Sequence, residues 1–119
     1  MGYEGIERRR YPRISNARFM VSYRILKEED NVDITQSKNI SLGGMLLTTN
    51  REFSSDTYLV LEIRLPFDPE PIKIVGRVVN SKKIVKDLIY ETRIEFISID
   101  EKHRNILSQT VNFYSKKKG

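Results

Sequence analysis

Four arginines within six residues, Arg8, Arg9, Arg10 and Arg13, form the densest cluster of charge in this 119-residue chain. The chemistry open to them is anion binding. A guanidinium stays charged, offers a planar fork of donors to a phosphate or a guanine edge, and stacks its face on a base. Pro12 pushes Tyr11 toward extended geometry, and four neighbouring cations disfavour a helix, so the segment reads as an extended arm. With about 3.3 Å per residue and alternating side chains, Arg9 and Arg13 project to one side roughly 13 Å apart, and Arg8 and Arg10 to the other. That span suits a ligand of dinucleotide size. The plainer reading of a short arginine run is a solvated basic tail.

A second stretch, Asn39-x-Ser41-x-x-Gly44, places an amide and a hydroxyl on the same side of an extended segment. Gly43 and Gly44 then allow a sharp turn at which a ligand can approach bare backbone. Taken alone, Asn, Ser and Gly are ordinary turn formers. Little else offers chemistry. His103 is the single histidine and there is no cysteine, so neither a metal constellation nor a thiolate nucleophile is expected. His103 falls at helical spacing from Ile106, which points to a helix-surface or capping role. The carboxylates Glu28, Glu29, Asp68 and Glu70 sit in polar, turn-like segments, and no serine has a histidine placed to activate it. The sequence therefore gives no catalytic residue, metal or cofactor, and the chain is not expected to be an enzyme.

The net charge of +5 is unevenly placed. Residues 1–24 carry six arginines against Glu4 and Glu7, residues 25–115 carry twelve Lys or Arg against fourteen Asp or Glu, and Lys116, Lys117 and Lys118 close the chain. A protein that tracks a long polyanion spreads its cations over a face, because affinity grows with the number of phosphates neutralised. Here they gather at the ends, which favours a small anionic ligand.

The elements that must position these residues are mostly strands. Ala17 to Leu26 alternates with Phe19, Val21, Tyr23 and Ile25 on one face, and Val32 to Ile40 is a weaker strand with Val32, Ile34 and Ile40 as its apolar members. Met45 to Thr49 makes a short strand, and Thr57 to Leu65 alternates until Pro66 stops it. Ile72 to Val79 follows, with Gly76 marking a bulge or a close backbone approach. After a polar turn at Lys82-Lys83, Leu88 to Phe96 alternates through Tyr90 and Ile94. From Asp100, a candidate N-cap, Ile106, Leu107, Val111 and Tyr114 recur at helical spacing. Length and composition bound one domain without disulfides, with no signal peptide or apolar run long enough to span a bilayer, so a cytoplasmic location is expected.

The run Glu7-Arg8-Arg9-Arg10-Tyr11-Pro12-Arg13-Ile14, containing Arg9-x-x-x-Arg13, followed by Asn39-x-Ser41-x-x-Gly44, closely resembles the PilZ domain of bacterial cyclic di-GMP receptors. The likeness extends to the glycine-bearing strand Ile74 to Val79 and the late strand Arg93 to Phe96. It implies a mainly β fold, a small six-stranded antiparallel β-barrel with a C-terminal α-helix. The divisions expected are a basic arm over residues 1–16, the barrel and helix over 17–115, and a basic tail over 116–119. It also implies a non-enzymatic receptor in which Arg8, Arg9, Arg10, Arg13, Asn39, Ser41, Gly43 and Gly44 meet cyclic di-GMP. Ordering of the arm would pass the signal to a downstream protein partner not identified by the sequence. Arg8, just before the motif, is where the resemblance implies an influence on whether one ligand or an intercalated pair is held. Two positions depart from the family pattern, since Arg93 stands where many members carry glycine and Asn80 near where they carry an aromatic. The alternative is a small basic barrel that binds single-stranded nucleic acid through Tyr11, Phe19 and Tyr23, which the near-neutral body disfavours.

Overall fold

The alternation in the sequence becomes six strands: β1 (Met20–Ile25), β2 (Asp33–Ile40), β3 (Gly44–Thr49), β4 (Tyr58–Ile63), β5 (Ile72–Val85) and β6 (Ile89–Ile99). One helix, α1 (Glu101–Lys116), follows them. The computed structural model describes residues 12–116. Each strand pairs antiparallel with its neighbours, and the sheet closes in the order β1-β2-β3-β6-β5-β4. Closure removes the free edges that an open sheet of this size would expose.

The barrel is filled from every strand, with Val21, Ile40, Leu47, Leu61, Ile74 and Ile94 among the side chains withdrawn from solvent. Ile94 on β6 sits between two glycines. A Cβ on Gly44 would lie 2.3 Å from the Ile94 carbonyl oxygen, and one on Gly76 would lie 2.4 Å from Ile94 Cγ2. Both glycines therefore answer to close approach, and no described glycine has positive φ. Helix α1 begins as its sequence implies. The Asp100 carboxylate accepts from the His103 backbone N–H at 2.8 Å, a side-chain N-cap. His103 Nδ1 in turn accepts the Lys73 N–H at 3.1 Å, which ties the helix start to β5. The same Nδ1 lies 3.5 Å from the Asp100 carboxylate. Leu107 and Val111 join the barrel core, each such burial being worth about 1.5–3 kcal/mol.

Four readings of the sequence change. Strand β2 starts at Asp33, after Val32, and the apolar Val32 and Ile34 are 53% and 70% exposed, while Ser37 and Ile40 face inward. A register shift between Ser37 and Asn39 explains the switch, because the bulge at Lys38 resets the alternation. Ser37 is accommodated in the interior because its hydroxyl accepts the Phe19 N–H at 3.0 Å. Lys82 and Lys83 form no turn; β5 runs through them to Val85, and the chain reverses at residues 86–88, with Asp87 at φ 61°. Leu88, read as a strand residue, belongs to that turn and is exposed. Lastly, β1 begins at Met20 rather than Ala17.

Candidate functional site on the outer wall of the barrel

Ile14 fixes where the arm meets the barrel. Its side chain enters the core, and its backbone forms an isolated antiparallel bridge with Ile40. Ile14 N–H donates to the Ile40 carbonyl at 2.8 Å, and Ile40 N–H donates to the Ile14 carbonyl at 3.1 Å. Arg13 and Asn39 thereby become diagonal neighbours, and Arg13 Nη1 donates to Asn39 Oδ1 at 3.2 Å. Residues 26 apart in sequence, one from each motif, are joined. Arg8, Arg9 and Arg10 lie outside the described residues.

The β2 bulge helps to aim Asn39. Between inward-facing Ser37 and Ile40, both Lys38 and Asn39 stand on the outer wall, where Lys38 Nζ meets Glu91 Oε2 at 2.6 Å. The hydrogen bond from Lys38 holds the Glu91 carboxyl below its usual range, against the opposing effect of burial.

Ser41 turns inward on its own loop. Its hydroxyl accepts the Gly43 N–H at 3.1 Å and approaches the Gly44 carbonyl at 3.4 Å, while its N–H donates to the same carbonyl at 2.9 Å. The Gly43 carbonyl accepts from Phe96 N–H at 2.9 Å and secures the turn to β6. Asn39, Ser41, Gly43 and Gly44 are thus one assembly, in which Asn39 presents its amide outward and Ser41 holds the turn.

Register extends the site across the wall. Asn39 pairs with Leu46, Leu46 with Arg93, and Arg93 with Asn80, a row running over β2, β3, β6 and β5. Strands about 4.8 Å apart put Asn39 and Arg93 about 10 Å from each other, with Leu46 as the floor between them. Arg93 makes no hydrogen bond or ion pair within the described residues, in contrast to Arg77 in the next row. Arg77 donates to Asp56, at 2.6 Å, and to Glu95, and these hydrogen bonds, that to Glu95 first, raise its pKa. The sequence offered a signal for Arg93, since it lies on the opposite parity from buried Tyr90 and Ile94 within an alternating strand. Two guanidiniums flanking an amide and an apolar floor can hold a flat, anionic ligand against the wall by charge, hydrogen bonding and stacking. Among the described residues no group of metal-binding side chains occurs.

A closed six-stranded barrel whose arm docks beside such a turn is the architecture of a PilZ domain. The family model for the PilZ domain matches residues 7–113, and the chain belongs to that family. Among solved structures, the Bacillus subtilis inhibitor of motility MotI/DgrA superposes with a TM-score of 0.78 at 25% identity over 94% of this chain and 53% of that one. The PilZ domain of Escherichia coli YcgR with c-di-GMP gives a TM-score of 0.67 at 14% identity, covering 92% of this chain and 93% of that one. The K. pneumonia MrkH–c-di-GMP complex gives 0.68 at 21% identity, covering 93% and 55%. The chain thus spans about half the length of MotI/DgrA and of MrkH. No curated protein matches the sequence significantly.

Proposed function

We propose that this chain is a non-enzymatic receptor domain for cyclic di-GMP. The observation that carries the reading is the junction of Arg13 with Asn39, which unites the two motifs on one outer surface. Similarity to YcgR and MrkH, both solved with c-di-GMP, supports the choice of ligand. In this reading Arg9 and Arg13 grip guanine edges and phosphates, with Arg8 and Arg10 beside them. Asn39 accepts guanine N–H groups, and Ser41, Gly43 and Gly44 keep the turn in shape. Arg93 faces Arg13 across Leu46 and supplies a further cation. Ligand engages the arm, and the altered arm is what a downstream protein partner detects. The single-stranded nucleic acid reading loses support, because Phe19 and Tyr23, two of its three stacking candidates, are buried in the core, while the third, Tyr11, lies outside the described residues.

The test is a calorimetric titration with cyclic di-GMP beside GMP and a single-stranded oligonucleotide. Cyclic di-GMP alone should bind tightly. Arg13→Ala should weaken it by at least about 1.5 kcal/mol, more than tenfold, because charge-assisted hydrogen bonds are lost. Arg93→Gln should weaken it less, and neither change should move the melting temperature, since both side chains lie on the surface. Failure of the parent chain to bind cyclic di-GMP would overturn the proposal.

A further inference from the structure

The hairpin joining β5 to β6 projects past the rest of the barrel wall. Strand β3 accompanies β6 only between Glu95 and Tyr90, and β4 accompanies β5 only between Ile72 and Arg77. Beyond the Lys83–Tyr90 pair the two strands have only each other, ending with Val85 against Ile89. Every residue from Lys82 to Ile89 is exposed, Leu88 at 64% and Ile84 at 47%. Four branched aliphatic side chains therefore stand in water at the end of a two-stranded projection. A lone hairpin is marginal in water, and clustered apolar exposure marks a surface of contact. Lys82, Lys83 and Lys86 surround them. The one acid in the tip is Asp87, in the turn, and the neighbouring Glu91 is already engaged by Lys38.

We infer that this hairpin docks on an anionic lipid surface, its aliphatic tip entering the headgroup boundary while its lysines meet lipid phosphates. Composition selects the occupant. Protein interfaces centre on Tyr, Trp, Phe, Met and Arg and are depleted in Lys, whereas residues 82–89 hold none of the first five and three lysines. Single-stranded nucleic acid needs rings for stacking, and none is present. A second copy of the hairpin would oppose one set of lysines with another. A lipid boundary accepts aliphatic groups in any orientation, and its anionic headgroups attract nearby lysines. Depth is limited by the backbone, because the unpaired N–H and C=O groups along both hairpin edges need water. The contact is therefore interfacial and reversible. Its outward face, carrying Val85 and Ile89, leads along β6 through Glu91 to Arg93 in the ligand-site row.

Co-sedimentation of the full chain, without nucleotide, decides the matter. The probes are phosphatidylcholine vesicles with and without about a third phosphatidylglycerol, a lipid carrying one negative charge. The parent chain should pellet with the anionic vesicles and stay in solution with the neutral ones. Leu88→Ser, alone or with Ile84→Ser, should lower the bound fraction severalfold, and combined Lys82→Gln, Lys83→Gln and Lys86→Gln should reduce it to the neutral-vesicle level. These side chains are exposed, so melting curves should coincide with the parent. Absence of binding to anionic vesicles overturns the inference, as does equal binding to neutral ones. Binding that survives both sets of hairpin changes belongs to the arginine arm or the lysine tail and overturns it equally.

Discussion

Gly44 and Gly76 both face Ile94, but they meet different parts of it, and the difference is measurable. A methyl group at Gly44 would collide with the Ile94 carbonyl oxygen, which is fixed in the β3–β6 ladder, whereas one at Gly76 would first meet the Cγ2 of Ile94, a buried side-chain methyl that yields only by a turn about χ1, with the Glu95 carbonyl oxygen at 3.3 Å. Gly44→Ala should therefore cost about 1–3 kcal/mol, the usual range for overpacking, and Gly76→Ala should cost less. With about 4–8 °C per kcal/mol for a domain of this size, thermal melts resolve the order, and equal or reversed melting temperatures would contradict it. The residue type at Gly44 was readable from the sequence, yet the reason for it was not. A glycine pair suggests positive φ, and only the register of β3 against β6 reveals that the constraint is contact. Ser41 teaches the same lesson, since its hydroxyl, which the motif offers to a ligand, is committed to the turn in this structure.

Strand β2 shows how an element can be found in the sequence and still be misread in detail. The strand itself was legible, as were the closed barrel and the capped helix, because period-two and helical spacing survive in a single sequence. The inward face was not, because one inserted residue reverses every assignment beyond it. With Lys38 removed, Ser37, Asn39 and Ile40 would oppose Leu47, Leu46 and Met45 in unbroken alternation. The β2–β3 ladder thus has no need of the bulge, and its place beside Asn39 points to the site. Deleting Lys38 should leave the barrel folded, at a cost of no more than about 1 kcal/mol from the Lys38–Glu91 pair, while weakening cyclic di-GMP binding by altering how Asn39 meets Arg13. The stability cost has its own signature in pH. Because Glu91 is held below the ordinary carboxylate value of about 4.3, the pair stabilises fully above that pH. Its contribution disappears as pH falls through the lowered value, so the parent and the deletion should converge in acid. Denaturant midpoints at neutral pH and below pH 4 measure this, and a difference that grows in acid would refute it.

At the scale of the whole molecule, the division of charge decides what kind of anion the protein can hold and how many. The body, residues 25–115, is nearly balanced, and several of its outward cations are spoken for, Arg77 by Asp56 and Glu95 and Lys38 by Glu91. The surplus lies at the two ends, in the N-terminal segment and in Lys116, Lys117 and Lys118, and the Ile14–Ile40 bridge fastens the end of the arm beside Asn39. Ligand phosphates would then be the counter-charge that the arm lacks within its own sequence, where only Glu4 and Glu7 are acidic. In the sequence Arg8 adds a cation just outside the Arg9-x-x-x-Arg13 spacing, and an extended chain would turn it to the opposite side from Arg9 and Arg13. A guanidinium at that position would suit a second nucleotide stacked on the first, lying on a base or pairing with a phosphate. Each chain should therefore take up two molecules of cyclic di-GMP, and Arg8→Leu should take up one. A charge that acts only by long-range attraction would instead change the affinity and leave the number of ligands alone, and salt would screen its effect over about 10 Å at 0.1 M. Titrating the parent and Arg8→Leu at low and high salt separates the two roles. A stoichiometry of two that falls to one at both salt concentrations supports the paired ligand. Equal stoichiometry, with an affinity gap that closes as salt rises, makes Arg8 a steering charge and removes the second nucleotide from the site.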